Sequence, residues 1–353
     1  MIRFGFPIDV VLLFITVISI SVFIDLFFHK KTQDISVLDA GLWSAFWVFL
    51  ALTFYGYLWM RFDKQWADLY LAGVALEKSL SVDNLVVFMA IFSSFNITGV
   101  LQHKILYLGI IGALVFRALF VAAGTGLLQM ASWVGFLFAA IVAWSGWKMF
   151  STLGHKEETP LTDYSSHWSV RLTKKFIPIF PRLHMGSFFV TRAVVIKLAE
   201  SDSRLKLQLR NSNYPIIFAT PALLCLMTIE TSDVMFAFDS VPAVIAVTQE
   251  PLLVYAAMIF AVLGLRSLYF VMAALTRYLT YLEHAVVVLL FFIAFKLSLQ
   301  SSEHVFGWDF LHISPNISLL IILCTLTIGI VASLIWGKSA ASKGCEGEKA
   351  DAL

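Results

Sequence analysis

Charge is scarce in this chain, and its scarcity excludes more than its few charged residues reveal at first sight. Only 14% of the 353 residues are Asp, Glu, Lys or Arg, against 59% hydrophobic, and the mean hydropathy is +0.85. That composition excludes a soluble domain and indicates an all-α polytopic membrane protein. The formal net charge is +2, so no basic excess points to nucleic acid. Cysteine is nearly absent. Cys225 and Cys324 lie in apolar runs and Cys345 in a polar tail. None forms a CxxC pair, which argues against both a disulfide framework and a thiolate metal site. No Gly precedes Asp83, Asp233 or Asp239 as a GxGD-type protease motif would require, so no enzyme is expected. The first apolar run, Ile8 to Phe28, lacks an A-x-A-like exit and is followed by His29-Lys30-Lys31, which marks a retained helix.

What is present is a series of apolar runs. They predict nine spans, roughly 7–28, 41–60, 69–96, 105–129, 131–150, 215–248, 252–275, 283–300 and 313–336. Between the fifth and sixth lies a polar loop, 151–214, with ten Lys/Arg. Within it SFFVT and AVVIKLA, Ser187 to Ala199, suit either a small hairpin or an irregular loop. The tail 337–353 is small, polar and charged, and disorder is expected there. Lys30, Lys31, Lys104, Arg277, Lys338, Lys343 and the basic loop fall on one side, Arg3, Arg61 and Lys64 on the other. The first side is expected to be cytoplasmic, which puts the N-terminus outside and the C-terminus inside. Positive-inside bias alone accounts for the loop's charge, although anionic headgroups would also suit it. Trp43, Trp47, Trp59, Trp133, Trp147 and Trp336 lie towards span ends and read as interfacial anchors. Lys148 and Lys296 are expected to snorkel to the interface.

Phe218 to Val247 breaks the pattern. It is long enough to cross a bilayer, yet it holds Glu230, Asp233 and Asp239 and no Lys, Arg or His. A charge at mid-membrane costs on the order of 3 kcal/mol on insertion scales, so something positive must come to these acids. The third span holds a related pattern. Glu77 and Asp83 are six apart and followed by Asn84; Asp233 and Asp239 are six apart and followed by Ser240. Arg117 and Arg266 follow in like company, then Lys148 and Lys296. Ordered markers on two groups of three helices predict a 3+3 inverted repeat around a mid-membrane acidic site. The expected segments are two leading helices over 1–64, the repeats over 65–150 and 215–300 flanking the loop, and a last helix over 301–336.

Glu230 and Asp233 share a helix face, but Asp239 stands roughly 120° from Asp233 on a regular helix. Convergence therefore predicts a break or bend in each acidic helix, favoured in the sixth span by Pro242. The candidate ligands are Glu77, Asp83, Glu230, Asp233 and Asp239, with Asn84 and Ser240 as accessories. An all-oxygen set suits Mn²⁺, Mg²⁺ or Ca²⁺, and surplus carboxylates suit protons. His and Cys, which Zn²⁺ or copper would favour, are absent from these motifs. The competing reading is a structural polar network in which Lys78, Arg117 and Arg266 neutralise the acids. Gly109, Gly112, Gly124 and Gly126 read as close-packing positions.

LEKSLSVDN (Leu76 to Asn84), FAFDSVPAVIAVTQEP (Phe236 to Pro251), IFAVLGLRSLYFVMA (Ile259 to Ala273) and QHKILYLGIIGALVFRALFVAAG (Gln102 to Gly124) resemble the signature stretches of the TerC/Alx family, itself similar in design to LysE-like exporters. The likeness covers most of Ala40 to Leu299. It implies efflux of divalent metal, chiefly Mn²⁺, across the bacterial cytoplasmic membrane. It also implies links to tellurite resistance, alkaline-pH response and metal supply to exported proteins. The family's acidic positions fall on Glu77, Asp83, Glu230, Asp233 and Asp239. Two departures stand out: Ser232 where Thr is usual, and Phe238 where a smaller Val is usual, expected to narrow the passage. The region Ser203 to Asn213 is unusually charged. Two functions follow as expectations. One is a secondary carrier exporting divalent metal against protons, with no resident cofactor. The other is a membrane factor that assists membrane-protein assembly and docks protein partners through the basic loop.

Overall fold

The computed structural model describes residues 7–28, 37–131, 133–153, 167–180, 187–192, 194–195, 217–248, 250–275, 281–306 and 313–350. Their chain is almost entirely helical: α1 Ile8–Phe28, α2 Val37–Arg61, α3 Lys64–Ser94, α4 Val100–Met130, α5 Val134–Leu153, α6 Trp168–Phe176, α7 Pro221–Thr248, α8 Pro251–Val262, α9 Leu265–Leu275, α10 Leu282–Phe306 and α11 Pro315–Ala350. Two short strands, β1 Phe189–Thr191 and β2 Ile217–Ala219, pair antiparallel.

Among the described residues six helices are long and apolar enough to cross a membrane, seven if the bent pair α8–α9 counts as one. Of the nine expected spans, α1 and α3 fall outside this set. α1 spans 21 residues and is apolar along its length, but only Val10–Ser21 of it counts as a continuous apolar stretch among the described residues; α3 carries Asp68, Glu77, Lys78 and Asp83. α11 continues to Ala350, through the tail where disorder was expected. Ala, Lys and Glu favour propagation of a helix already nucleated by the apolar segment.

The chain forms two compact units. The first comprises Met1–Val86, Leu114–Glu158 and Val234–Leu353. Its core gathers Trp47, Phe54, Tyr70, Phe260 and the buried faces of α5, α7 and α10. α5 lies against α10 through Gly135, opposite Ser301, and Gly146, opposite Leu290. Small residues of this kind let backbones approach where no solvent drives helices together.

The expected seventh span is a broken helix. α8 and α9 meet at Gly264 with a 47° bend. Gly264 has φ +82°, and a Cβ there would strike the indole of Trp47. Glycine meets both demands, a left-handed backbone and a close aromatic neighbour. Trp47 is therefore 1% exposed core, not the interfacial anchor expected from its position. Trp59, Trp133 and Trp147 do lie on the exposed surface. The carbonyls released at the break are capped by a lysine. Lys78 Nζ on α3 donates to Ala261 O at 2.8 Å and to Leu263 O at 3.2 Å. A cation on the last carbonyls of a helix is favourable for both hydrogen bonding and dipole.

The second unit comprises Val87–Ala113 and Thr159–Asp233. Here part of the basic loop is ordered. β1 lies in the predicted SFFVT run, but its partner is β2, directly before α7, and not the AVVIKLA run. Phe180, Val190, Val195 and Phe218 close a small apolar cluster over the sheet. Thr220 Oγ1 donates to Ser187 O at 2.7 Å and ties the sheet to the first turn of α7. The charged region from Ser203 to Asn213 lies outside the described residues.

Candidate functional site

α7 carries three of the five singled-out acids and runs unbroken from Pro221 to Thr248 with Pro242 inside it. α3 is likewise continuous from Lys64 to Ser94. The expected breaks in the acidic helices are thus absent, and the broken element is α8–α9. Pro242 removes one backbone donor, which a long helix absorbs without losing its course.

In the first unit Glu77 and Asp239 are compensated. Glu77 is fully buried and its carboxylate ion-pairs with Arg117 on α4. Arg117 also acts electrostatically on Asp239 of α7, whose carboxylate accepts a hydrogen bond from Ser145 on α5. One guanidinium therefore serves two acids on two helices. Arg117 also lines a cavity of about 10 Å³ with Leu114, Val121, Tyr255 and Met258, room for about one water. Tyr255 fixes that wall by donating to Ala118 O at 2.9 Å. Two hydroxyls beside the acidic positions, Ser81 Oγ and Ser240 Oγ, are buried with no hydrogen-bond partner among the described residues. Asn84 is buried on α3; the side chain of Asp83 lies outside the described residues. Arg266 is buried in the first turn of α9.

In the second unit the balance differs. Glu230 and Asp233 stand one turn apart on α7, close enough to repel each other. Glu230 Oε2 is buried and has no hydrogen-bond partner among the described residues. Its carboxylate rests on Gly112 of α4, where any Cβ would overlap both carboxylate oxygens. One turn earlier, Ile229 packs against Gly109, 3.3 Å from where a Cβ would sit. Gly112 was thus legible as a packing position, but what it packs is the acid. Gly126, by contrast, has open space around it.

α7 is steadied around Glu230 by side-chain bonds to its own backbone. Thr228 Oγ1 donates to Leu224 O at 2.8 Å, and Ser232 Oγ, at the position where Thr is usual, donates to Thr228 O at 2.8 Å. Phe238 is 55% exposed and sits edge to face on Phe120. Lys148 is exposed, as expected, but Lys296 is only 2% exposed. The close packing of α10 keeps its ammonium from reaching an interface. Asp68, which the sequence reading passed over, is buried and accepts from Tyr55 Oη at 3.1 Å. Among the described residues no three His, Cys, Asp or Glu side chains gather closely enough to hold a metal ion.

Residues 62–341 match the family described as "Integral membrane protein TerC family". A tellurium resistance protein TerC of an Alcaligenes species is 47% identical over 94% of this chain and 95% of its own length. A protein of the same name from Serratia marcescens is 46% identical over 94% and 95%. A Photorhabdus laumondii relative, named as a candidate membrane-bound redox modulator, Alx, is 33% identical over 83% and 86%. No solved structure matches the chain. With a family match over most of its length and relatives near half identity along nearly all of it, this chain belongs to the TerC family of integral membrane proteins.

Proposed function

We propose that this TerC-family protein is a secondary carrier that moves a divalent cation, Mn²⁺ by preference, out across the bacterial cytoplasmic membrane in exchange for protons. The observation that carries the proposal is Glu230. It is an acid on a membrane-spanning helix with a buried oxygen that no group among the described residues satisfies. An unsatisfied carboxylate oxygen in that setting is costly unless it periodically holds a cation or a proton. Glu77 shows how the same chain neutralises an acid permanently, by Arg117. Among the described residues Glu230 has no such partner, which favours transient over fixed compensation.

The remaining roles follow from the same chemistry. Glu230 and Asp233, one turn apart on α7, supply oxygens to the ion, and Glu77, paired with Arg117, serves as a fixed counter-charge; hard divalent ions accept such donors. A carrier needs ligands that are not locked together in every state. Asp239, facing Ser145 and Arg117 on neighbouring helices, is the proposed carrier of the exchanged proton. The N-terminus lies outside and the C-terminus in the cytoplasm, and the two acidic helices belong to the sequence repeats 65–150 and 215–300, of inverted topology.

The test is purified protein in liposomes with a pH gradient and an internal Mn²⁺ indicator. Wild type should move Mn²⁺ when the gradient is imposed, with Mg²⁺ and Ca²⁺ as weaker competitors. Glu230→Gln and Asp239→Asn should each abolish flux without unfolding the protein. Folded wild-type protein that moves none of the three ions in either gradient direction would refute the carrier and leave the assembly-factor reading.

A further inference from the structure

We infer that the exposed face of α6 is a binding site for the anionic headgroups of bilayer phospholipids. α6 runs Trp168–Phe176 and is divided cleanly around its axis. Ser169, Val170 and Thr173 are buried. Trp168 and Leu172, one turn apart, are 47% and 48% exposed. Arg171, Lys174 and Lys175 occupy the adjoining part of the exposed face, and the helix contains no acid. Spacings of three and four place the three cations together and the two apolar groups beside them. Positive-inside bias explains cations in this loop. It does not explain their alignment along one face, next to an exposed Trp and Leu.

The depth of the helix identifies the occupant. Ser169 Oγ lies 3.2 Å from Thr228 Oγ1 on α7. Thr228 is seven residues into a membrane-spanning helix, about 10 Å along its axis. That is the level at which headgroups meet acyl chains when a helix of this length crosses a bilayer. There a cationic flank suits phosphate and an indole–leucine flank suits the edge of the hydrocarbon. The same Ser169–Thr228 contact ties the lipid-facing helix to the helix that carries Glu230.

The test uses the full-length protein in phosphatidylcholine vesicles holding 10 mol% of brominated phosphatidylglycerol or brominated phosphatidylcholine. The Trp168 signal is obtained as wild type minus Trp168→Phe. Phosphatidylglycerol should quench it several-fold more strongly than phosphatidylcholine at equal mole fraction. An Arg171→Gln, Lys174→Gln, Lys175→Gln variant should bring the two lipids to parity. Equal quenching in the wild type, no quenching by either lipid, or loss of the difference in millimolar inorganic phosphate would each overturn the assignment. The second of these would point to a protein covering the face, the third to free phosphate.

Discussion

Gly112→Ala is the sharpest single change available in this protein. The added methyl would occupy the place now held by both oxygens of Glu230. Backbone cannot yield on either side, because α4 and α7 are continuous helices there. The carboxylate must therefore leave its seat by rotating about its own χ angles. An off-rotamer side chain costs about 0.5–1.5 kcal/mol and overpacking typically about 1–3 kcal/mol. A displacement penalty of about 1–3 kcal/mol corresponds to roughly a 5- to 150-fold loss of ion affinity at about 1.4 kcal/mol per decade. The assay is Mn²⁺ uptake into proteoliposomes at graded concentration, read beside the thermal midpoint of each variant. Gly126→Ala supplies the control. It meets nothing within 4 Å, so it should transport normally and gain slightly in stability, since Ala is the better helix former by about 0.5–1 kcal/mol. Gly109→Ala should fall between, because Ile229 is tight but apolar. If Gly112→Ala transports with wild-type affinity while Glu230→Gln is inactive, the seat of the carboxylate on α4 is irrelevant and the reasoning fails.

The remaining expectations concern the other charges. Lys78→Met strips two hydrogen bonds from the carbonyls at the α8–α9 break; at about 1–2 kcal/mol each, the thermal midpoint should fall clearly, and an unchanged midpoint would dismiss the capping role. Arg117→Gln should destabilise more than Glu77→Gln, because Arg117 faces both Glu77 and Asp239 whereas loss of Glu77 leaves Arg117 an acid to pair with; equal effects in the two variants would count against the shared guanidinium. His167 should confer a pH response on α6. Its ring nitrogen Nδ1 accepts from the Ser169 N–H at 3.5 Å as the helix N-cap, and burial, with Arg171 nearby, pushes its pKa below the ordinary 6.5. The folded state thus disfavours the protonated ring, so the contribution to stability is complete above about 6.5 and declines as pH falls through that value towards the lower folded pKa. Amide exchange at Ser169 to Arg171 should quicken over that range in wild type and stay flat in His167→Asn, which caps without titrating.

Much of the helical layout was legible because apolar runs of membrane length admit few other readings. α2, α4, α5, α7, α10 and α11 fall on predicted spans for that reason. α3 is a harder case: its polar residues make it ambiguous as a span by composition. The break was foreseen in the wrong place. Pro242 is a visible helix breaker, but a single lost donor does not interrupt α7. Gly264 gives no such signal in an apolar run, since glycine is common in membrane helices; only the approach of Trp47, some 200 residues away in sequence, forces the bend. β1 was found, but its partner across the loop was not, because β pairing depends on contacts that local pattern cannot encode. Lys296 illustrates the same limit. Position near a predicted span end suggested snorkelling, whereas burial depends on how tightly α10 packs.

The acids themselves were legible, but not their division. Sequence alone offered two readings for all five, transient ion binding or permanent ion pairing. Among the described residues the acids do not share one environment. Glu77 is paired, and Lys78 beside it goes elsewhere, to backbone carbonyls, although it was the nearest available cation. Adjacent helical residues point about 100° apart, so neighbours in sequence are poor partners in space. That rule leaves Arg117 to neutralise Glu77, whereas Glu230 stands on a helix with no cation of its own. An insertion of charge into α7 tests this directly. Thr231→Lys, adjacent to Glu230, should point away from it and spare transport, whereas Met227→Lys, three residues earlier on the same side, should supply a fixed counter-ion and stop transport. Inhibition by both to the same degree would show that added charge in α7, and not neutralisation of Glu230, is what the protein cannot tolerate.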